Sequence, residues 1–172
     1  FLLAAAGSET TRNAISGGLK VLLEEPDQLH DLRKDPGLLR TATEEILRWT
    51  SPVAYFRRTV QEDTEIRGIP IAAGDRISLW YPSGNRDEDV FREPFRFDIR
   101  RQGNEQIAFG GGGAHFCMGA HLARREIMIL FEELLARVGE IEVLDPPKYS
   151  VQGIFNPIVA SLKTFPVRLL PR

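Results

Sequence analysis

A chain of 172 residues and 19.4 kDa has the size of one domain with a buried core. Its 42% hydrophobic and 27% charged content excludes a disordered chain, and a net charge of −2 gives no electrostatic footing for nucleic acid. A single cysteine cannot close an internal disulfide, and no apolar run reaches the roughly 20 residues that span a bilayer.

With neither a targeting nor a membrane segment visible, a reducing, cytoplasmic setting is expected. The chain opens on Phe1, Leu2, Leu3 and a run of alanines, with no initiator methionine and no basic n-region of a signal peptide. It reads as starting inside an apolar helix, as the later part of a longer protein.

Residues 1–25 read as that helix, apolar and then amphipathic, interrupted at Ala6-Gly7-Ser8-Glu9-Thr10-Thr11. Mid-helix glycine costs about 1 kcal/mol against alanine, and hydroxyl side chains compete for backbone hydrogen bonds. Either a local opening near Gly7 or close packing through small residues is expected. Residues 27–34 form a short helix between Pro26 and Pro36, and 38–49 a clear one with Leu38, Leu39, Ala42, Ile46, Leu47 and Trp49 apolar. On that helix Glu45 and Arg48 stand at i and i+3, close enough to pair.

Residues 53–60 and 63–71 alternate like strands, with turns at Gly68 and Gly74, and 76–81 reads as a strand or the entry to a helix. From 82 to 106 no period is visible, but Phe91, Phe95 and Phe97 argue that the segment packs on the body. The glycine run Gly110 to Gly113 then leads through Ala114, His115, Phe116, Cys117 and Met118 to Gly119. A long helix over 120–137 follows, which Gly139 is expected to close. Strands are expected at 141–144, 158–162 and 167–170. With no repeat and no linker, the fold class is mainly α with small β-sheets in one unit.

The chemistry concentrates around Cys117. A helix N-terminus offers free N–H groups and a partial positive charge, which favour thiolate over thiol. Glycines let the loop lie close against a flat, bulky partner. A thiolate so placed suits an axial ligand of haem iron.

Four motifs together resemble the haem-thiolate monooxygenases, the cytochrome P-450 superfamily, from Ala4 to about Val167. Ala6-Gly7-Ser8-Glu9-Thr10-Thr11 is similar to the oxygen-activation segment of the distal helix, and Glu45-Ile46-Leu47-Arg48 to the Glu-x-x-Arg helix. Residues 91–97 resemble the aromatic-proline-arginine meander, and 110–119 the haem-binding loop. The resemblance implies the C-terminal part of that fold: distal helix, Glu-x-x-Arg helix, meander, haem-binding loop and long proximal helix, with 1–172 as one partial catalytic domain. Implied with it is haem b with Cys117 as thiolate ligand to the iron, held also by Arg58, His115, Phe109, Gly110 and Gly119. The Met118 and Gly119 N–H groups are expected to point at the sulfur. Glu9 and Thr10 take the catalytic role of proton relay and hydrogen-bond donor on the opposite face. Glu45 and Arg48 interlock with Arg96 of the meander, the tandem Arg100-Arg101 being the rival choice. Apolar substrate contacts fall to Leu3, Ala6, Val53, Ala54, Phe56, Ile158 and Val159.

Phe109 stands eight residues before Cys117, one more than in the commonest form of the loop. In this, and in Tyr55-Phe56-Arg57-Arg58-Thr59, the chain is similar to actinobacterial enzymes that oxidise sterol side chains and methyl-branched lipids. Insertion of one atom of O2 into a C–H bond of such a substrate is the implied reaction, with a terpenoid or polyketide as the alternative substrate. A ferredoxin-type electron donor with an NAD(P)H-dependent reductase follows from the family, and Arg124 and Arg125 are candidates to dock it. Two readings lie outside the class. His115, Cys117 and His121 with His30 or a carboxylate could hold zinc, or the chain could be a haem electron carrier, which would have no use for Glu9 and Thr10.

Overall fold

The computed structural model describes residues 6–149 and 162–172. Leu3, Ile158 and Val159, the apolar start of the first helix and nearly all of the strand expected at 158–162 lie outside them.

Three helices build the body. The first, α1 (Ser8–Glu24), is preceded by a π-helical turn at residues 6–7. The Thr10 hydroxyl donates to the Ala6 carbonyl at 2.8 Å. The opening near Gly7 is therefore present, and a threonine bonded back to the preceding turn accompanies it. After α2 (Pro26–Lys34) and a 3₁₀ turn (Pro36–Leu38), α3 (Leu39–Thr50) packs on α1.

Close packing at Gly7 itself is not seen, since among the described residues a Cβ there would meet nothing within 4 Å; the close approach to a neighbour lies further along α1. A Cβ at Gly18 would stand 2.7 Å from Ile46 Cγ2, and one at Gly17 would stand 2.7 Å from Thr50 Cγ2. Alanine ordinarily stabilises a helix interior, but here it collides with α3. Gly18→Ala is therefore expected to lower stability by about 1–3 kcal/mol in a denaturant titration, and a gain would contradict this packing.

The third helix, α5 (Ala120–Arg137), buries Ala120, Ile127, Phe131 and Leu135, spaced to lie on one stripe against α1 and α3. Leu22, Leu32, Ile46, Ile99, Ile127 and Phe131 form the centre of the core, so the irregular segment contributes through Ile99. Gly139 does not close α5. The helix ends at Arg137, Val138 is already extended, and Gly139 lies within β5 (Val138–Val143), which pairs antiparallel with β8 (Val167–Pro171). The β-branched Val138 enters a ladder with a partner from the end of the chain, a pairing that local sequence does not show.

The other described sheets are also two-stranded and antiparallel. β1 (Tyr55–Thr59) pairs with β4 (Arg76–Trp80), β2 (Thr64–Ile66) with β3 (Ile69–Ile71), and β6 (Lys148–Tyr149) with β7 (Leu162–Thr164). In the first, Phe56 faces Leu79 and Arg58 faces Ile77, so Phe56 and Arg58 share one side of the ribbon. β4 runs directly into the short helix α4 (Tyr81–Gly84), and from there to α5 the chain is held by turns and side chains.

Candidate active site

The buried glutamate–arginine pair fixes the irregular segment. Glu45 and Arg48 are both fully buried, and Arg48 Nε and Nη2 donate to the two carboxylate oxygens at 2.7 and 2.8 Å. Two charges survive in a core only if their remaining bonding capacity is met. Glu45 also accepts from the Asp98 N–H at 2.9 Å, Arg101 Nε at 3.1 Å and Asn104 Nδ2 at 3.1 Å. Arg48 Nη1 donates to the Asn85 and Pro94 carbonyls, both at 2.8 Å.

The arginine of the meander that joins this pair is Arg101 and not Arg96. Arg96 contributes its carbonyl, which accepts from Arg48 at 3.1 Å and from Arg101 at 2.7 Å. Its side chain is 64% exposed and meets Glu93, whereas that of Arg101 is 9% exposed. The reason is in the backbone. Turns bring the Arg96 N–H to the Glu93 carbonyl and the Arg101 N–H to the Asp98 carbonyl, which carries Arg96 outward and Arg101 inward. Arg100 points to Asp31 on the outside, at 2.9 Å.

Two polar anchors had no sequence signal beyond their residue type. Gln28 of α2 clamps the segment by donating to the Phe97 carbonyl at 2.8 Å and accepting from the Ile99 N–H at 2.9 Å. Asn85, fully buried, donates to Ser51 Oγ and accepts from the Ile107 N–H, both at 2.8 Å. Arg86 stacks on Trp49 at 5.0 Å and donates to its carbonyl. Burial first, and the charge of Arg48 second, lower the Arg86 guanidinium below its usual pKa, with Glu45 opposing them.

This scaffold presents the loop over residues 109–119. Gly110, Gly112 and Gly113 have φ of +95°, +103° and +76°, which only glycine adopts without strain. The Cys117 N–H donates to the Phe109 carbonyl at 3.1 Å, closing the loop, and the Phe116 N–H donates to Gly113. The Cys117 thiol is exposed at the entry to α5, between Phe116 and Met118, which is 89% exposed. Among the described residues no acceptor takes the Met118 or Gly119 N–H, and no bond from either to the sulfur forms. A Cβ at Gly119 would stand 3.8 Å from Sγ.

A row of side chains leads from β1 to this loop. The Arg58 guanidinium lies 5.9 Å over the Phe56 ring, Phe56 meets Tyr81 edge-on at 6.0 Å, and the Tyr81 hydroxyl is 3.6 Å from where a Gly110 Cβ would be. Arg58 is exposed and has no carboxylate partner among the described residues. His115 is exposed, and its backbone carbonyl is 3.8 Å from that same point. Phe56 and Leu79 are exposed and apolar. An exposed thiol, an uncovered apolar surface and an unpaired guanidinium at its edge fit a flat apolar group with anionic substituents, as haem is.

On α1, Glu9 Oε1 accepts from Arg12 Nη2 at 2.6 Å and from Asn13 Nδ2 at 3.3 Å. Asn13 is buried, and its Oδ1 has no partner among the described residues. Of the expected apolar contacts, Ala6 and Phe56 are exposed, Val53 is half-buried and Ala54 is buried, its carbonyl accepting from the Tyr81 N–H. Arg125 is exposed, but Arg124 is not free to dock a partner, because it pairs with Glu44 at 2.6 Å. The zinc reading finds no support, since among the described residues no three His, Cys, Asp or Glu side chains converge. No described helix is long and apolar enough to cross a membrane.

The cytochrome P450 family model matches residues 1–139. A methyl-branched lipid omega-hydroxylase of Mycobacterium bovis is 48% identical over 168 residues, which is 97% of this chain and 38% of that protein. A steroid C26-monooxygenase of Rhodococcus jostii is 45% identical over 158 residues, 92% of this chain and 33% of that protein. The crystal structure of CYP108D1 from Novosphingobium aromaticivorans superposes with a TM-score of 0.90 at 38% identity, covering 99% of this chain and 40% of its own. The chain thus spans between a third and two-fifths of the length of these proteins. Its motifs, its backbone and its match to the family model agree: the chain belongs to the cytochrome P450 family.

Proposed function

We propose that the full-length protein is a haem-thiolate monooxygenase that inserts one oxygen atom of O2 into a C–H bond of an apolar substrate, a sterol side chain or a methyl-branched lipid. The observation that carries this reading is the exposed Cys117 thiol on a closed glycine loop at the start of α5. Bound there, haem supplies the activation of dioxygen. The chain's part is to hold and tune it. Cys117 would provide the thiolate, and Arg58 and His115 would offer charge and donors to propionates. Phe109, Gly110 and Gly119 shape the loop.

Glu9 and Thr10 manage protons. The Thr10 hydroxyl keeps its proton on the Ala6 carbonyl at the open turn, and Glu9, half-exposed and paired with Arg12, is placed to exchange one with solvent. Ala6, Val53 and Phe56 offer apolar surface to a hydrocarbon; Ala54 supports that wall from behind, and Leu3, Ile158 and Val159 remain candidates. The substrate class is supported by the relatives, one named for a methyl-branched lipid and the other for a steroid. A ferredoxin-type donor fed by an NAD(P)H-dependent reductase supplies the electrons, with Arg125 the docking candidate left on α5.

Turnover of a branched fatty acid and of a sterol under isotopically labelled dioxygen tests this. One labelled atom in the alcohol and one in water is expected. Failure with both substrates, or an unlabelled alcohol whose oxygen comes from water, would overturn it. Thr10→Ala is expected to cut product formation by roughly 100-fold while dioxygen is still consumed and peroxide accumulates. An unchanged ratio of product to dioxygen would remove Thr10 from this role.

A further inference from the structure

Glu44, the neighbour of buried Glu45, points to a different side of α3 and meets residues on both flanks of the loop that carries Cys117. Arg124 Nε and Nη2 donate to its two oxygens at 2.6 and 3.1 Å, a bidentate pair across two helices. The same guanidinium lies 4.5 Å over the Phe109 ring, and the Phe109 carbonyl takes the Cys117 N–H. Gln106 Nε2 also donates to Glu44, at 3.0 Å, while Gln106 Oε1 accepts from the Ala108 N–H at 2.7 Å. One carboxylate therefore grips both the chain entering the loop and the helix leaving it. Its own helix is held rigidly by the Glu45–Arg48 pair one residue on.

We propose that Glu44 and Arg124 are positioning residues for the Cys117 thiolate, bracing Phe109 and through it the loop backbone. The inference rests on Cys117 as the haem ligand. The side chains of the pair are only 28% and 27% exposed, and the planar stack on Phe109 is a contact that lysine cannot reproduce. Loosening this brace would let the loop carry the sulfur away from the iron, which weakens its donation, raises the reduction potential and favours the thiol form.

The test uses full-length, haem-loaded protein with Glu44→Gln, Arg124→Gln and Arg124→Lys. Two quantities are read: the haem reduction potential, and the fraction of the reduced carbon monoxide complex that has lost the thiolate Soret band. Simple through-space charge moves the potential in opposite directions, down when the cation is removed and up when the anion is removed. Bracing predicts an upward shift and a larger thiol fraction in both Gln variants, with Arg124→Lys intermediate because it keeps the pairing and loses the stack. Opposite shifts, or none, would overturn the proposal. Should Arg124→Gln fail to load haem, Glu44→Gln and Arg124→Lys still decide it. A wild-type protein without the thiolate band would instead overturn the Cys117 reading and this one with it.

Discussion

Arg48→Ala is expected to cost the full-length protein about 3–5 kcal/mol, enough to abolish cooperative unfolding or lower its midpoint severely. The change leaves the Glu45 carboxylate buried without its principal partner and also frees the Asn85 and Pro94 carbonyls inside the protein. Arg101→Ala removes one ion pair and three donations to meander carbonyls, and roughly 1.5–3 kcal/mol is expected. Arg96→Ala should stay within about 0.5 kcal/mol, because the carbonyl that serves the network is still present and the lost side chain is exposed. Denaturant titration of the three variants checks the order. A cost for Arg96→Ala equal to that for Arg48→Ala would contradict the assignment.

Cys117→Ser separates ligand from scaffold. The thiol is exposed and accepts no hydrogen bond among the described residues, so the loop keeps its glycine turns and the Phe109 closure without it. Unfolding stability of the haem-free variant is expected within about 0.5 kcal/mol of the haem-free parent, while monooxygenase turnover falls to background. A serine hydroxyl does not ionise near neutral pH and cannot supply the electron donation of a thiolate. Residual turnover at the parent rate would assign the ligand to another residue.

What was legible in the sequence follows from period and punctuation. The helices carry apolar residues at helical spacing, and Pro26 and Pro36 punctuate the first three, so the end of α1 and the limits of α2, α3 and α5 were readable to within a residue or two. Cys117 announced itself because a lone thiol after four glycines and before a helix has few other uses. The irregular stretch was opaque for a physical reason. Its residues are aimed by turns and by bonds to distant side chains such as Gln28 and Asn85, not by a repeating backbone, so spacing does not reveal which arginine points inward. Arg96 was the choice of a linear motif, whereas Arg101 is where the folded turns deliver a guanidinium to Glu45. Arg124 shows the same limit on a regular helix. Its position on α5 was readable, but its partner Glu44 lies on α3, and only the packing of the two helices turns a surface candidate into a bracing one. Gly139 was misread because its environment is set by β8, which pairs with Val138 and Glu140 on either side of it only in three dimensions.

The central claim is that Cys117 binds haem iron as a thiolate. Reduction of the full-length protein with dithionite under carbon monoxide tests it most directly. The account predicts the long-wavelength Soret band from which the cytochrome P450 family takes its name, present in the parent protein and absent from Cys117→Ser. A parent protein that takes up haem yet shows only the shorter-wavelength band of a non-thiolate complex, or a band that persists in the serine variant, would contradict it.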